Sequence, residues 1–263
     1  MKKSDIYLQG GENAVLLIHG LTGSPYEMNY LAKQLNRSGY TVSVPCLAGH
    51  DTSLADLKKR TWQDWYATVK QGFLELKKQH SNVCVAGLCM GAVLALHLSY
   101  ELGSNVTAIG LFSTTLAYDG WGLPWYKFLA PLTYYTPVRY FYDYPECEPY
   151  GIKDKRLRAI VAKGLKDNSV AYNKVPGVSM HESFRLVKNV KKNIRSITTP
   201  TLIIHSIEDD TASVNNATYI ERQIGSSSVR KVIIDDCYHM ITIDNKREQV
   251  ADETINFFNK YSV

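Results

Sequence analysis

The stretch VCVAGLCMGAVLALHL, residues 83–98, constrains the fold more than any other. Val83 to Leu88 is a short, continuously apolar run, as expected of a buried strand. Met90 onward has the apolar density of a buried helix. Only one residue, Cys89, separates them, so the chain must turn from strand to helix within a residue or two. Such a turn forces a strained backbone at its apex and crowds the positions two residues either side. Gly87 and Gly91, in a Gly-x-Cys-x-Gly frame, relieve that crowding. The apex side chain then stands clear of the backbone, and the Met90 N–H points from a helix N-terminus toward any anion formed there.

The same grammar recurs along the chain. NAVLLIHG (13–20), YTVSVP (40–45), VTAIGLFST (106–114), PTLIIHS (200–206) and KVIIDD (231–236) read as strands. Ser24-Pro25 opens a helix with Met28, Leu31 and Leu35 on one face, and Gly39 stops it. Thr61 and Asp64 form a capping-box pattern before a helix reaching about residue 79. Helices are also expected near 90–102, 212–224 and 247–260. Strands alternating with helices predict an α/β fold with a mostly parallel sheet covered on both faces.

The alternation breaks between residues 117 and 195. That stretch is crowded with rings, among them Tyr118, Trp121, Trp125, Tyr126, Phe128, Tyr134, Tyr135, Tyr142 and Tyr144. It reads as an inserted cap over a core made of 1–116 and 196–263, with one amphipathic helix at 153–165. Its aromatics suit the wall of a hydrophobic pocket or, equally, a dimer contact.

Composition excludes other classes. The net charge of +5 is scattered rather than blocked, which argues against a nucleic-acid partner. No apolar run reaches the length of a membrane span, and the N-terminus lacks a secretory h-region. Five cysteines (46, 84, 89, 147 and 237) match neither a zinc pattern nor a disulfide framework, so a reducing cytoplasm is expected and no metal or organic cofactor is implied.

On these motifs the chain resembles the α/β-hydrolase superfamily, and within it small bacterial carboxylesterases and monoacylglycerol-lipase-like enzymes. LLIHGLTGSP (16–25) is similar to that group's oxyanion loop, and PCLAGHD (45–51) to its Pro-x-Leu-x-Gly-His-Gly turn, with Asp51 for the last glycine. LIIHSIEDDTAS (202–213) is similar to the segment carrying the catalytic acid, and DDCYHMITID (235–244) to the histidine loop. The resemblance implies an α/β-hydrolase fold with an inserted cap and a triad of Cys89, Asp209 and His239, in that group's order of nucleophile, acid and base. It also implies an oxyanion hole from the N–H groups of Leu21 and Met90. Asp210 competes with Asp209 for the acid, ahead of Glu208, Asp235 and Asp236. His19, His50 and His205 are read as structural, and His80, His97 and His181 as surface or helix positions.

The departure from the group is Cys89 where it carries serine. A thiol is a nucleophile in its own right. Dienelactone hydrolases are similar in carrying an elbow cysteine, and polyhydroxyalkanoate synthases share the Gly-x-Cys-x-Gly box. The expected activity is hydrolysis of a carboxylic ester or thioester through an acyl-Cys89 intermediate. Acyl transfer, lactone opening, a cysteine introduced in place of serine, and a site that only binds a small ligand stay open.

Overall fold

In a computed structural model, which describes residues 4–123, 133–166 and 171–262, the chain forms a seven-stranded sheet between two helical layers. In chain order its first elements are β1 (Ile6–Leu8), β2 (Ala14–Ile18), α1 (Asn29–Arg37), β3 (Thr41–Val44), α2 (Leu54–Leu57), α3 (Trp62–Lys77), β4 (Val83–Leu88), α4 (Met90–Leu102) and β5 (Ile109–Phe112). Then come β6 (Asp143–Pro145), α5 (Lys155–Lys166), β7 (Lys174–Pro176), α6 (Gly177–Asn193), β8 (Thr201–Ser206), α7 (Asn215–Gln223), β9 (Val229–Ile234) and α8 (Arg247–Tyr261). The sheet order is β1-β3-β2-β4-β5-β8-β9, with every pairing parallel except β1 against β3. The α/β architecture expected from the alternation is therefore present.

Burial follows position in the sheet. All residues of β2, β4, β5 and β8 are buried, because helices cover both of their faces, whereas the edge strands β1 and β9 are partly exposed. β1 is invisible to apolar-run reading because it is three residues of an antiparallel edge with only partial burial. One apolar layer gathers Trp65, Phe73 and the inward face of α4; the other gathers Leu31, Leu35 and Phe258 beneath α1 and α8. Gly39 ends the first helical segment with φ +97°, a value that glycine takes without a Cβ penalty. Asp64 accepts the Thr61 N–H at 2.8 Å and fixes the start of α3.

Between β5 and β8 the chain leaves the sheet. β6 and β7 pair as a small antiparallel ribbon, and α5 covers nearly the helix expected at 153–165. α6 was not anticipated. It packs on α3 and α4, with Leu186, Val187 and Val190 in the same apolar layer as the sheet, so this part of the 117–195 insertion is built into the core layer. Trp125, Tyr126 and Phe128 lie outside the described residues.

This topology fixes where a site can form. From β2 the winding runs outward to β3 on one side and to β4 on the other. The loops leaving the carboxyl ends of β2 and β4 therefore diverge and leave a crevice between them. Ile18 pairs with Gly87 there, placing the 19–24 loop beside Cys89.

Candidate active site

Cys89 sits at the apex between β4 and α4 with φ 56° and ψ −117°. This is a strained conformation for a non-glycine residue. The close approach that produces it explains both glycines. A Cβ on Gly87 would lie 2.2 Å from the Gly91 backbone, and one on Gly91 would lie 2.3 Å from the Ile18 carbonyl oxygen. The Cys89 N–H donates to Phe112 O at 2.9 Å, tying the apex to β5. Among the described residues, the N–H groups of Leu21 and Met90 donate to no partner. Met90 is the first residue of α4, where an N–H has no intrahelical acceptor.

Asp209 follows β8 and His239 follows β9, so adjacent strands deliver both to the same end of the sheet. His239 Nδ1 lies 2.8 Å from Asp209 Oδ2 and 3.0 Å from Oδ1. Asp209 is itself pinned: Oδ1 accepts the N–H groups of Thr211 and Ala212 at 2.9 and 2.8 Å. His205 Nε2 reaches its Oδ2 at 3.3 Å and Ala212 O at 2.7 Å. Asp210 instead accepts the Gly151 N–H at 3.2 Å, so of the two rival acids it is Asp209 that hydrogen-bonds the imidazole.

Charge balance accompanies this geometry. Burial alone would raise Asp209, but the charges and hydrogen bonds of His239 and His205 hold its carboxyl well below the usual range. For His239, burial pulls the pKa down, and its interactions with Asp209 and Cys89 override it, raising it well above the ordinary value. His239 Nε2 is buried, and Asp209 and Cys89 are the side chains that interact with the ring. The Cys89 Sγ lies 3.3 Å from Thr115 Oγ1, which also contacts Ser113 O at 3.2 Å.

Other histidines make contacts within the fold. His19 Nε2 accepts the Leu47 N–H at 3.1 Å, bracing the 19–24 loop against the 45–51 turn. His50 stacks edge-on to His19 at 4.9 Å. His97 is on α4 as read, but it is buried rather than at the surface, between Trp62 and Tyr66 at 5.1 and 4.5 Å. His80 is buried too, with Nδ1 2.8 Å from Glu12 O.

A cavity of about 980 Å³ opens above Cys89 and His239, lined largely by apolar and aromatic side chains such as Leu116, Tyr118, Leu157, Val161, Met180 and Phe184. Tyr134 stacks on Phe184 at 4.5 Å and Tyr118 meets it edge-on at 5.7 Å. No cluster able to hold a metal ion occurs among the described residues.

Two acids beside this site, the buried Glu27 and the partly exposed Glu146, were not read from the sequence. Glu27 lies three residues after Ser24, the spacing of a capping box. Its Oε2 instead accepts the Gly20 N–H at 2.9 Å, in the loop that carries Leu21. Glu146 lines the cavity and faces Thr22. Burial, the largest influence, raises the Glu27 pKa to about 7, against opposing pulls from Gly20 and His239. Between the ordinary value of 4.5 and about 7, the folded state holds a proton that the unfolded chain has lost. Stability therefore falls as pH rises through that window, by roughly 3 kcal/mol. Glu27→Gln keeps an acceptor for Gly20 and removes the charge. Urea unfolding is expected to show it more stable than the parent at pH 8, with no such gain at pH 4. An equal gain at both values contradicts the assignment.

A strained strand-to-helix apex, an Asp–His pair on the next loops and a crevice at the sheet's winding reversal define an α/β-hydrolase. Comparison with known proteins agrees. Residues 11–246 match the family Hydrolase_4, described as serine aminopeptidase, S33. The chain is 30% identical over 262 residues to a thermostable monoacylglycerol lipase of Bacillus sp. (strain H-257), covering 97% of this chain and 94% of that protein. It is 23% identical over 253 residues to a carboxylesterase of Bacillus subtilis (strain 168), covering 96% and 94%. Among solved structures, the monoacylglycerol lipase of Paleococcus ferrophilus superposes with a TM-score of 0.80 at 14% identity, over 100% of both chains. A soluble variant of monoglyceride lipase from Saccharomyces cerevisiae gives 0.81 at 15%, over 98% of this chain and 92% of the other. The chain belongs to the Hydrolase_4 family.

Proposed function

We propose that this carboxylic ester hydrolase cleaves esters of fatty acids with small alcohols, monoacylglycerols among them, using Cys89 as nucleophile, His239 as base and Asp209 as its orienting acid. The observation that carries the reading is the Asp209–His239 pair at 2.8 Å beside the strained Cys89 apex, beneath a cavity large and apolar enough for an acyl chain. His239 takes the thiol proton to give a thiolate–imidazolium pair, whose Sγ attacks the carbonyl carbon. The N–H groups of Leu21 and Met90 meet the oxyanion, His239 gives the proton to the departing alcohol, and a thioester on Cys89 remains. Water, deprotonated by His239, then releases the acid and regenerates the thiol. The protein is read as a hydrolase for esters and, with a thiol nucleophile, also for thioesters.

The insertion at 117–195 is proposed as the cap that walls the cavity, since Tyr118, Tyr134, Glu146, Leu157 and Phe184 all line it. No helix among the described residues is long and apolar enough to cross a membrane. The five cysteines are all free.

The test is release of acid in water alone by purified protein, from a monoacylglycerol and from p-nitrophenyl butyrate. Turnover of both supports the reading. Turnover only when an alcohol acceptor is added assigns acyl transfer instead, and binding of either ester without turnover assigns a ligand-binding role.

A further inference from the structure

An N–H group stabilises an oxyanion best when its peptide plane is already held in place, because a donor that must turn as the charge develops gives part of its benefit away. The peptide joining Gly20 to Leu21 carries the Gly20 oxygen and the Leu21 N–H on opposite edges. His19 braces the oxygen edge. Its Nε2 accepts the Leu47 N–H at 3.1 Å, so the ring proton sits on Nδ1, which lies 3.0 Å from Gly20 O and donates to it. The Gly23 N–H reaches the same oxygen at 3.4 Å. The Leu21 N–H therefore faces the other way, and Leu21 lines the cavity above Cys89.

The second hold on Gly20 is Glu27, whose buried Oε2 accepts the Gly20 N–H at 2.9 Å. The loop wraps this carboxyl closely. A Cβ on Gly23 would lie 1.8 Å from Glu27 Oε1. Gly23 is not among the residues with positive φ, so its missing side chain makes room for the carboxyl rather than for a left-handed turn. A Cβ on Gly20 would lie 3.4 Å from Glu27 Oε2 and 3.4 Å from the Cys89 Cβ, which sets Gly20 between the carboxyl and the nucleophile. The Glu27 backbone is fixed from the other catalytic loop: Thr242, three residues past His239, donates its hydroxyl to Glu27 O at 2.9 Å. A buried carboxyl is costly unless it is hydrogen-bonded, and the Gly20 N–H supplies that bond. One residue thus joins the loop of Leu21 to the loop of His239.

We propose that Glu27 is a positioning residue of the oxyanion hole, its carboxyl oxygen fixing Gly20 so that the Leu21 N–H is aimed at the carbonyl oxygen of the ester attacked by Cys89. The role rests on the acyl-Cys89 reading above. Glu27 acts through the Gly20–Leu21 peptide, and its bond to Thr242 keeps that peptide in register with the histidine loop. The position needs a hydrogen-bond acceptor rather than a charge. Glutamine therefore serves there, and a hydrocarbon of similar bulk does not.

Two reactions of Cys89 separate this role from a general loss of structure. Acylation by p-nitrophenyl butyrate forms an oxyanion. Alkylation by iodoacetamide forms none: sulfur attacks the CH₂ carbon and iodide leaves. A misfolded fraction, or an altered thiolate caused by a changed field at His239, lowers both alike. Alkylation is read at Cys89 by peptide mapping, because Cys147 is exposed. In Glu27→Leu, the ratio of kcat/KM for the ester to the alkylation rate constant is expected to fall roughly 30-fold, part of the about 100- to 1,000-fold cost of deleting an oxyanion donor outright. In Glu27→Gln the ratio is expected to stay within about threefold of the parent, and in Gly23→Ala, whose methyl displaces the carboxyl, to fall as in Glu27→Leu. A Glu27→Leu ratio within about threefold of the parent, or an equal fall in Glu27→Gln, overturns the role of Glu27. A parent that is alkylated at Cys89 but never acylated there overturns instead the acyl-Cys89 reading on which it rests.

Discussion

Cys89→Ala is expected to lower p-nitrophenyl butyrate turnover by at least about three orders of magnitude, leaving only what the oxyanion donors and binding supply. The expectation follows from position. A Cβ on Gly87 or Gly91 would lie 2.2 or 2.3 Å from neighbouring backbone, and the strained apex between them lifts one side chain into the cavity. Alanine keeps the backbone and the small volume, so the fold is retained while the attacking atom is lost. A thermal melt within a few degrees of the parent, beside absent turnover, is the predicted pair of results. Comparable turnover in the variant removes Cys89 from the chemistry.

Asp209→Asn is expected to cost a comparable three to four orders in kcat, with a far smaller change in KM. The carboxylate does three things that an amide cannot do together. It accepts from His239 Nδ1 at 2.8 Å, accepts the Thr211 and Ala212 N–H groups, and offsets the charge on the imidazolium. An asparagine turning its NH₂ toward His239 forces Nδ1 to act as acceptor and puts the ring proton on Nε2, where it blocks uptake of the thiol proton. Asp210→Asn supplies the contrast. Its carboxyl faces Gly151 rather than the imidazole, so kcat is expected to fall by less than tenfold. Steady-state kinetics on the two neighbouring variants distinguishes the acid, and equal losses contradict the assignment.

The sheet was legible because buried parallel strands advertise themselves. AVLLI, VCVAGL, IGLF and TLIIHS carry apolar residues at successive positions, since helices cover both faces. The elbow was legible because its glycines are a steric necessity. What escaped had a shared cause: the deciding contacts are made across the fold. Ser24 to Glu27 is a local helix-start pattern, and only the return of β2 beside that helix offers Gly20 N–H to the carboxyl instead. Glu146 lies among exposed-looking polar residues, 57 positions after Cys89 in sequence, and becomes part of the cavity wall only when the β6–β7 ribbon forms. His97 has a polar ring on a helix, yet Trp62 and Tyr66 from α3 enclose it. α6 was missed because its buried positions, Leu186, Val187 and Val190, are diluted by a lysine-rich outer face.

The most direct measurement of the central claim is the mass of the intact protein milliseconds to seconds after mixing with p-nitrophenyl butyrate, followed by peptide mapping of the acid-quenched sample. The account predicts one added butyryl group, on Cys89, appearing with the first release of p-nitrophenol and decaying as butyrate forms. Sustained turnover with Cys89 unmodified at every time point, or with the butyryl group on another residue, contradicts it.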